Sequence, residues 1–234
     1  DELWVRSRNL MRRRFERRLY ERRLTSRGTS RGNSSGDLPA RAARLVPGTQ
    51  RDNLARLRES QPEFYARLET ETIERAESIL DGRWNSLGHV FDLSGGVDWH
   101  FDPRSDYRWP GCFYADVPVY DAGERIDVKY VWELGRQQYL FSLASAWLLG
   151  GRSDFAAHAR SVMLTWITKN PLYEGVHWTS ALEVAVRSIS WIWSLAALEG
   201  WDDLDADDLE RIQGSLAQHA EYLEHHLSFY SSPY

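Results

Sequence analysis

Apolar residues recur three and four positions apart along much of this chain, and the C-terminal half keeps that spacing almost without interruption. It predicts four helices, over 127–149, 153–169, 178–199 and 205–227. Gly150-Gly151 closes the first, Ser153 caps the second, and Asn170-Pro171 ends it. Thr179 or its neighbour opens the third, Gly200 closes it, and Asp205 caps the fourth. The first and third helices start about 50 residues apart, as do the second and fourth, which is the mark of a repeated helical hairpin. Stacked hairpins form solenoids, or rings when their curvature closes.

Upstream the pattern is more broken. A helical stretch over Thr49–Leu80 is split at Pro62, after which Phe64, Leu68, Ile73, Ala76 and Leu80 keep one face apolar. Residues 82–127 hold neither a period of 2 nor one of 3.6; Gly95-Gly96, Pro103, Pro110-Gly111, Pro118 and Gly123 interrupt a run of aromatics, and long loops with short turns are predicted. A loop region of that length in a compact domain is commonly functional. Residues 25–37 are rich in Gly, Ser and Thr and read as a linker. Before them, Leu10, Phe15, Leu19 and Leu24 recur at near-helical spacing between arginines, predicting an Arg-rich amphipathic helix. The organisation expected is a basic arm and linker over 1–48, then an all-α domain over 49–234.

Charge sharpens that division. The net charge of -5 hides 16 arginines against 6 acids in residues 1–58, and 13 Lys/Arg against 28 acids in the remainder. A basic arm suits nucleic acid, an anionic membrane surface or an acidic polysaccharide, or simply a solvated helix face. The acidic body argues against nucleic acid. No apolar run reaches the roughly 20 residues that span a bilayer. Asp1-Glu2-Leu3-Trp4 opens no apolar signal-peptide core, so this end assigns no compartment. The lone Cys112 rules out an intrachain disulfide framework and thiolate-rich metal sites. The histidines show no metal spacing, and His225-His226 reads as a surface feature, so neither metal nor cofactor is expected. A phosphate-binding loop, a dinucleotide fingerprint and a nucleophile elbow are all missing, which removes phosphoryl transfer, hydride transfer and serine hydrolysis.

Candidate chemistry lies on two helices. In 178–199, Ser180, Glu183, Arg187, Ser190 and Ser194 form one stripe on a helix otherwise apolar, which predicts a buried helix whose stripe meets another polar stripe or a cleft. Glu183 and Arg187 stand at i, i+4, the spacing of an ion pair, either structural or cleft-lining. In 127–149, Lys129, Glu133 and Gln137 share a face with Arg136 beside them, and the two stripes suggest a shared groove. Eleven tryptophans is high usage; Trp99, Trp109, Trp132, Trp178 and Trp191 lie near these motifs. Flat indoles stack on sugar rings, although most of the eleven are expected in the core. His100 and Asp102 read as a loop anchor.

Asp127-Val-Lys-Tyr-Val-Trp-Glu-Leu-Gly-Arg136 resembles the signature that opens an inner helix in heparinase II/III-like proteins. Gly175-Val-His-Trp-Thr-Ser-Ala-Leu-Glu-Val-Ala-Val-Arg187 resembles their next signature, and Asp98-Trp-His-Phe-Asp-Pro103 with Tyr107-Arg-Trp-Pro110 the loop before them. Order and spacing are kept from about residue 73 onward. The resemblance implies an incomplete (α/α) toroid, normally followed by a β-sandwich domain. It also implies β-elimination on an anionic, uronic-acid-containing polysaccharide of glycosaminoglycan or alginate type, in the periplasm or outside the cell. The second signature usually reads Asn-Trp where this chain has His177-Trp178, and the family's Asn-His-Leu motif, catalytic Tyr and later His follow an ending like Phe229–Tyr234. The expectation is therefore a groove-bearing portion that binds through Lys129, Glu133, Arg136, His177, Trp178, Glu183 and Arg187 without the main catalytic residues. Two other readings stay open: a non-catalytic binding or scaffold module, and an (α/α) glycoside hydrolase using Glu133 and Glu183.

Overall fold

A computed structural model describes residues 2–25, 38–94, 96–120 and 126–226, the side chains of residues 2–8 and 25 excepted. In chain order, α1 (Glu2–Thr25), α2 (Leu38–Leu45), α3 (Arg51–Ser60) and α4 (Pro62–Leu80) precede two small antiparallel hairpins, β1 (Arg83–Ser86) with β2 (His89–Asp92) and β3 (Phe101–Asp102) with β4 (Tyr107–Arg108). Then come α5 (Lys129–Arg136), α6 (Tyr139–Gly150), α7 (Ser153–Lys169), α8 (Ala181–Ala197) and α9 (Ala206–His225), with a 3₁₀ turn at Val176–Trp178 before α8. The class is all-α, as the periodicity predicts. The linker over 25–37 and the ending 229–234 lie, Thr25 aside, outside the described residues.

Stacking of hairpins organises the C-terminal half. α6 packs on α7 and α8 on α9, while α6 also meets α8 and α7 meets α9, so one hairpin lies against the next. α4 extends the layer on the far side of α6, and α2 lies along α8. Leu140, Leu143, Phe155, Trp166, Val184, Trp191, Leu195 and Ile212 fill the space between them and are fully buried. α7 runs from the predicted Ser153 to Lys169, but Arg152 is its N-cap and Ser153 its first helical residue. Asp205 caps α9 as expected, its carboxylate accepting from the Asp208 N–H at 2.8 Å.

Two predictions are corrected. The continuous helix over 127–149 is two helices, because Gln137 adopts the left-handed conformation (φ 54°) and caps α5. Its buried side chain is held there by Trp191, whose Nε1 donates to Gln137 Oε1 at 2.9 Å. Neither Gly nor Pro marks the break, so the pattern passes over it. Residues 82–127 are not simply loops: β1 and β2 join through Leu87 and Gly88, both at positive φ (52° and 69°), the geometry of a type I′ turn. Strands of two to four residues are too short for alternation to declare them.

The arginine-rich segment is helical, yet it is not free of the body. Of its apolar line only Leu19 packs, with Tyr20, against the core; Leu10, Phe15 and Leu24 face outward. What anchors α1 is polar. Glu16 is buried, accepts from the Tyr114 hydroxyl at 2.6 Å and lies 3.3 Å from His226 Nε2, while Arg17 pairs with Asp116 at 2.5 Å. His226, read from sequence as a surface residue, is therefore part of this latch and stacks on Tyr222 at 3.7 Å. Burial alone would raise the Glu16 carboxyl, but hydrogen bonds with His226 and Tyr114 and the charge of Arg12 outweigh it and hold it below its ordinary value. A carboxyl depressed on folding stabilises above its unfolded value, and that stability fades as pH falls through the folded one. Glu16→Ala should release α1 and speed tryptic cleavage at Arg13, Arg14 and Arg18 about tenfold at neutral pH, on the scale of one buried charged hydrogen-bond set. Acidification should release α1 of the unsubstituted chain as well, opening it to an acid-active protease such as pepsin. Mass spectrometry of a limited digest reads both; equal cleavage rates would contradict the latch.

Candidate functional site

The polar stripes of α5 and α8 meet at one guanidinium. Arg136 Nε and Nη2 donate to both oxygens of Glu183, at 2.6 and 3.0 Å, and its Nη1 donates to Glu133 Oε2 at 2.6 Å. Ser86, at the end of β1, donates to the other Glu133 oxygen at 2.5 Å. Both carboxylates are buried, whereas 27% of the Arg136 side chain remains exposed. The hydrogen bond to Glu183 is the main reason the Arg136 guanidinium holds its proton above its ordinary value, so this cation is permanent and fixed in orientation. Lys129 opens α5 with an exposed side chain.

Spacing alone suggests that Glu183 pairs with Arg187, and the structure replaces that pairing. Arg187 is 0% exposed and turns into the core, its guanidinium 4.1 Å over the Trp166 ring and 5.5 Å over Trp178. It donates to His219 Nε2 at 3.0 Å and to the carbonyls of Gly135 and His177, each at 3.4 Å. Burial lowers its pKa to about 9, with the charge of Glu183 opposing the shift. Burial, then the charge of Arg187, holds both His177 and His219 well below the ordinary histidine range, so both are neutral. His177 Nε2 donates to the Trp99 carbonyl at 2.7 Å, and its ring lies against Gly135, where no side chain fits.

The seven candidate binding residues thus divide by depth. Lys129 is exposed, Arg136 opens to solvent with Glu133 and Glu183 beneath it, and His177, Trp178 and Arg187 have no surface to offer a ligand. The tryptophans divide likewise: Trp99, Trp109, Trp178 and Trp191 are core, and Trp132 is half-buried with its Nε1 bonded to the Val176 carbonyl at 3.1 Å. Among the described residues the most exposed indole is that of Trp193, 46% exposed and 5.5 Å from Phe141. It shares the outer side of α8 with Leu182 and Ile189, so this helix buries its polar stripe and shows apolar residues to solvent, the reverse of the usual order. Ser190 and Ser194 tolerate burial because each hydroxyl donates to the carbonyl four residues back.

Sequence reasoning missed Ser86, His89 and Tyr130. The β1–β2 turn places Ser86 opposite His89 and against Glu133, the His89 ring lies 6.1 Å from Tyr130, and Arg104 covers Tyr130 at 3.9 Å. The tight turn at Leu87-Gly88 is the one local signal. Asp102 is the loop anchor expected, accepting from the Arg104 N–H and the Ser105 hydroxyl; His100 stands instead against Gly175. Glu133 and Glu183 are both buried and hydrogen-bonded to one guanidinium, whereas a hydrolase pair stands on the two sides of an open cleft. Among the described residues no group of three His, Cys, Asp or Glu is arranged to hold a metal ion, and no helix is long and apolar enough to cross a membrane.

The family model for the heparinase II/III N-terminus matches residues 49–232, spanning the stacked hairpins, both sheet hairpins and every residue of this site. The chain belongs to the heparinase II/III N-terminal family. Its membership makes it a polysaccharide lyase-related module, with α1 and α2 outside the matched region. No curated protein and no solved structure matches it. Within a heparinase II/III N-terminal module, Arg136 is the outermost point of a polar assembly whose deeper members are the aromatic cage around Arg187.

Proposed function

We propose that the face formed by α5, the β1–β2 turn and α8 is the wall of a groove that binds an anionic, uronic-acid-containing polysaccharide of glycosaminoglycan or alginate type for β-elimination. The observation that carries it is Arg136, oriented from below by two buried carboxylates and open above, with Lys129 beside it on the same helix. A guanidinium already fixed in direction loses little freedom on binding a carboxylate or sulfate. The exposed Trp193 indole, with the Phe141 ring standing edge-on beside it, supplies a flat face for a sugar ring. His177, Trp178 and Arg187 act from behind, holding the backbone at Gly135 and at the turn before α8. In β-elimination the uronate carboxylate is neutralised, a base removes the C5 proton, and the 4-linked oxygen departs. This reading assigns the module recognition and no proton transfer. Since both carboxylates are engaged and His177 and His219 are buried and neutral, a module that binds without cleaving is the second reading.

Isothermal titration with an alginate or heparan oligosaccharide tests it. Arg136→Lys keeps the charge but loses the fork, and should weaken binding about three- to tenfold. Lys129→Ala, at an exposed side chain, should weaken it about two- to fivefold with the fold intact. Affinity unchanged in both variants would refute the groove. Unsaturated sugar ends appearing in the mixture would decide for cleavage over binding alone.

A further inference from the structure

We propose that a second groove, between α7 and α9, binds an oxoanion carried on a sugar chain, either a sulfate ester or a uronate carboxylate. It rests on the polysaccharide reading above for the carrier, while the oxoanion preference follows from the groove itself.

Arg160, Ser161, Leu164, Thr165, Thr168 and Lys169 fall at i, i+1, i+4, i+5, i+8 and i+9, one continuous face of α7. At 1.5 Å per residue this face is about 14 Å long, an extended floor rather than a point. Arg211 of α9 forms the facing wall, and the cavity between them is about 400 Å³. Three cations line it and no carboxylate does. Among the described residues Asp208 supplies the carboxylate that meets them: it is buried, takes Arg160 Nε, and lies 3.9 Å from Arg211 Nη1, while Arg160 Nη1 donates to the Asp203 carbonyl at 3.5 Å. Arg211 Nη2 also donates to Thr168 Oγ1 at 3.2 Å. Two guanidiniums are thereby held in place with most of their donors unused. Lys169 makes no ion pair with any described residue, and the Ser161 and Thr165 hydroxyls hydrogen-bond to no described side chain. Three positive charges against one stand here on a body with a large excess of acids, so an anion is drawn to this groove over the surrounding surface. The arrangement of guanidinium, ammonium and hydroxyl donors along an open floor suits a substituted sugar chain better than a single small ion.

The test is titration of the full chain with a sulfated heparin hexasaccharide, with inorganic sulfate, and with an uncharged dextran oligosaccharide of similar length. Lys169→Ala/Arg211→Ala alters two exposed side chains, and circular dichroism should show an unaltered fold. The proposal expects the double variant to bind the hexasaccharide about tenfold more weakly, with a shallower salt dependence, and dextran to bind neither protein. Hexasaccharide affinity unchanged in the double variant overturns it, and so does inorganic sulfate binding the unsubstituted chain as tightly as the hexasaccharide. Lys129→Ala, measured alongside, separates the outcomes: if it weakens binding while the double variant does not, the second groove fails and the first stands. If the double variant alone weakens binding, the second groove stands and the α5–α8 face fails.

Discussion

Gly135→Ala lowers the stability of the chain by about 3 kcal/mol or more, although in a solvated helix the same change would raise it by about 1 kcal/mol. The opposite sign comes from packing. An added Cβ at Gly135 would stand 2.5 Å from His177 Cε1 and closer still to Nδ1. The imidazole has nowhere to go: its Nε2 is bonded to the Trp99 carbonyl, and Trp99, His100 and Trp166 surround the ring. Nor can α5 slide away, because the Gly135 carbonyl accepts from Arg187 and Arg136 is clamped to Glu183 on α8. Overpacking between two fixed elements is among the few routes to a large single-residue effect. The midpoint of thermal unfolding, followed by tryptophan fluorescence, should fall by roughly 6–12 °C for a chain of this size. A fall of under about 2 °C would mean that the His177 pocket is loose.

Arg187→Ala is the second large loss, about 3–5 kcal/mol. It opens a void between the rings of Trp166 and Trp178 and leaves His219 Nε2 and the Gly135 and His177 carbonyls without their donor. Arg187→Met refills the void but not the hydrogen bonds, and should recover only part. A pH signature separates the charge from the packing. The folded-state pKa of Arg187, about 9, lies well below the ordinary arginine value, so at high pH the unfolded chain holds a proton that the folded chain releases. The unsubstituted protein therefore gains stability from this residue as pH rises through that interval, and Arg187→Met should lack the gain. Urea unfolding at a series of pH values measures the difference between the two. Parallel curves would contradict a guanidinium whose proton is loosened by burial in the cage.

These two residues show what the sequence could and could not declare. Asp205, Pro62 and the bounds of α7 are local signals, each resolved within a turn of helix, and they stand as read. The stripe on α8 was legible as a stripe, and its link to α5 holds through Arg136 and Glu183. Its internal pairing was not legible, because i, i+4 spacing only permits an ion pair; Arg187 is taken by Trp166, Trp178 and His219, none of which is adjacent in sequence. Periodicity also reports that two faces of a helix differ without saying which one points inward. On α8 the polar face does, and so of that helix's two indoles Trp193 rather than Trp191 is the one that solvent reaches. Ser86 reaches Glu133 only because Leu87 and Gly88 reverse the chain, and Glu16 finds Tyr114 and His226 only through the docking of α1. Contacts of that range are set by tertiary packing, which no local pattern encodes.

The most direct test of the polysaccharide-facing site is a map of backbone amide shifts as an alginate oligosaccharide is added to the full chain. The account predicts saturable shifts centred on Ser86, Lys129, Arg136 and the outer side of α8 near Trp193, with little change around the buried His219. Absence of saturable shifts at those positions, at oligosaccharide concentrations that saturate binding, would contradict it.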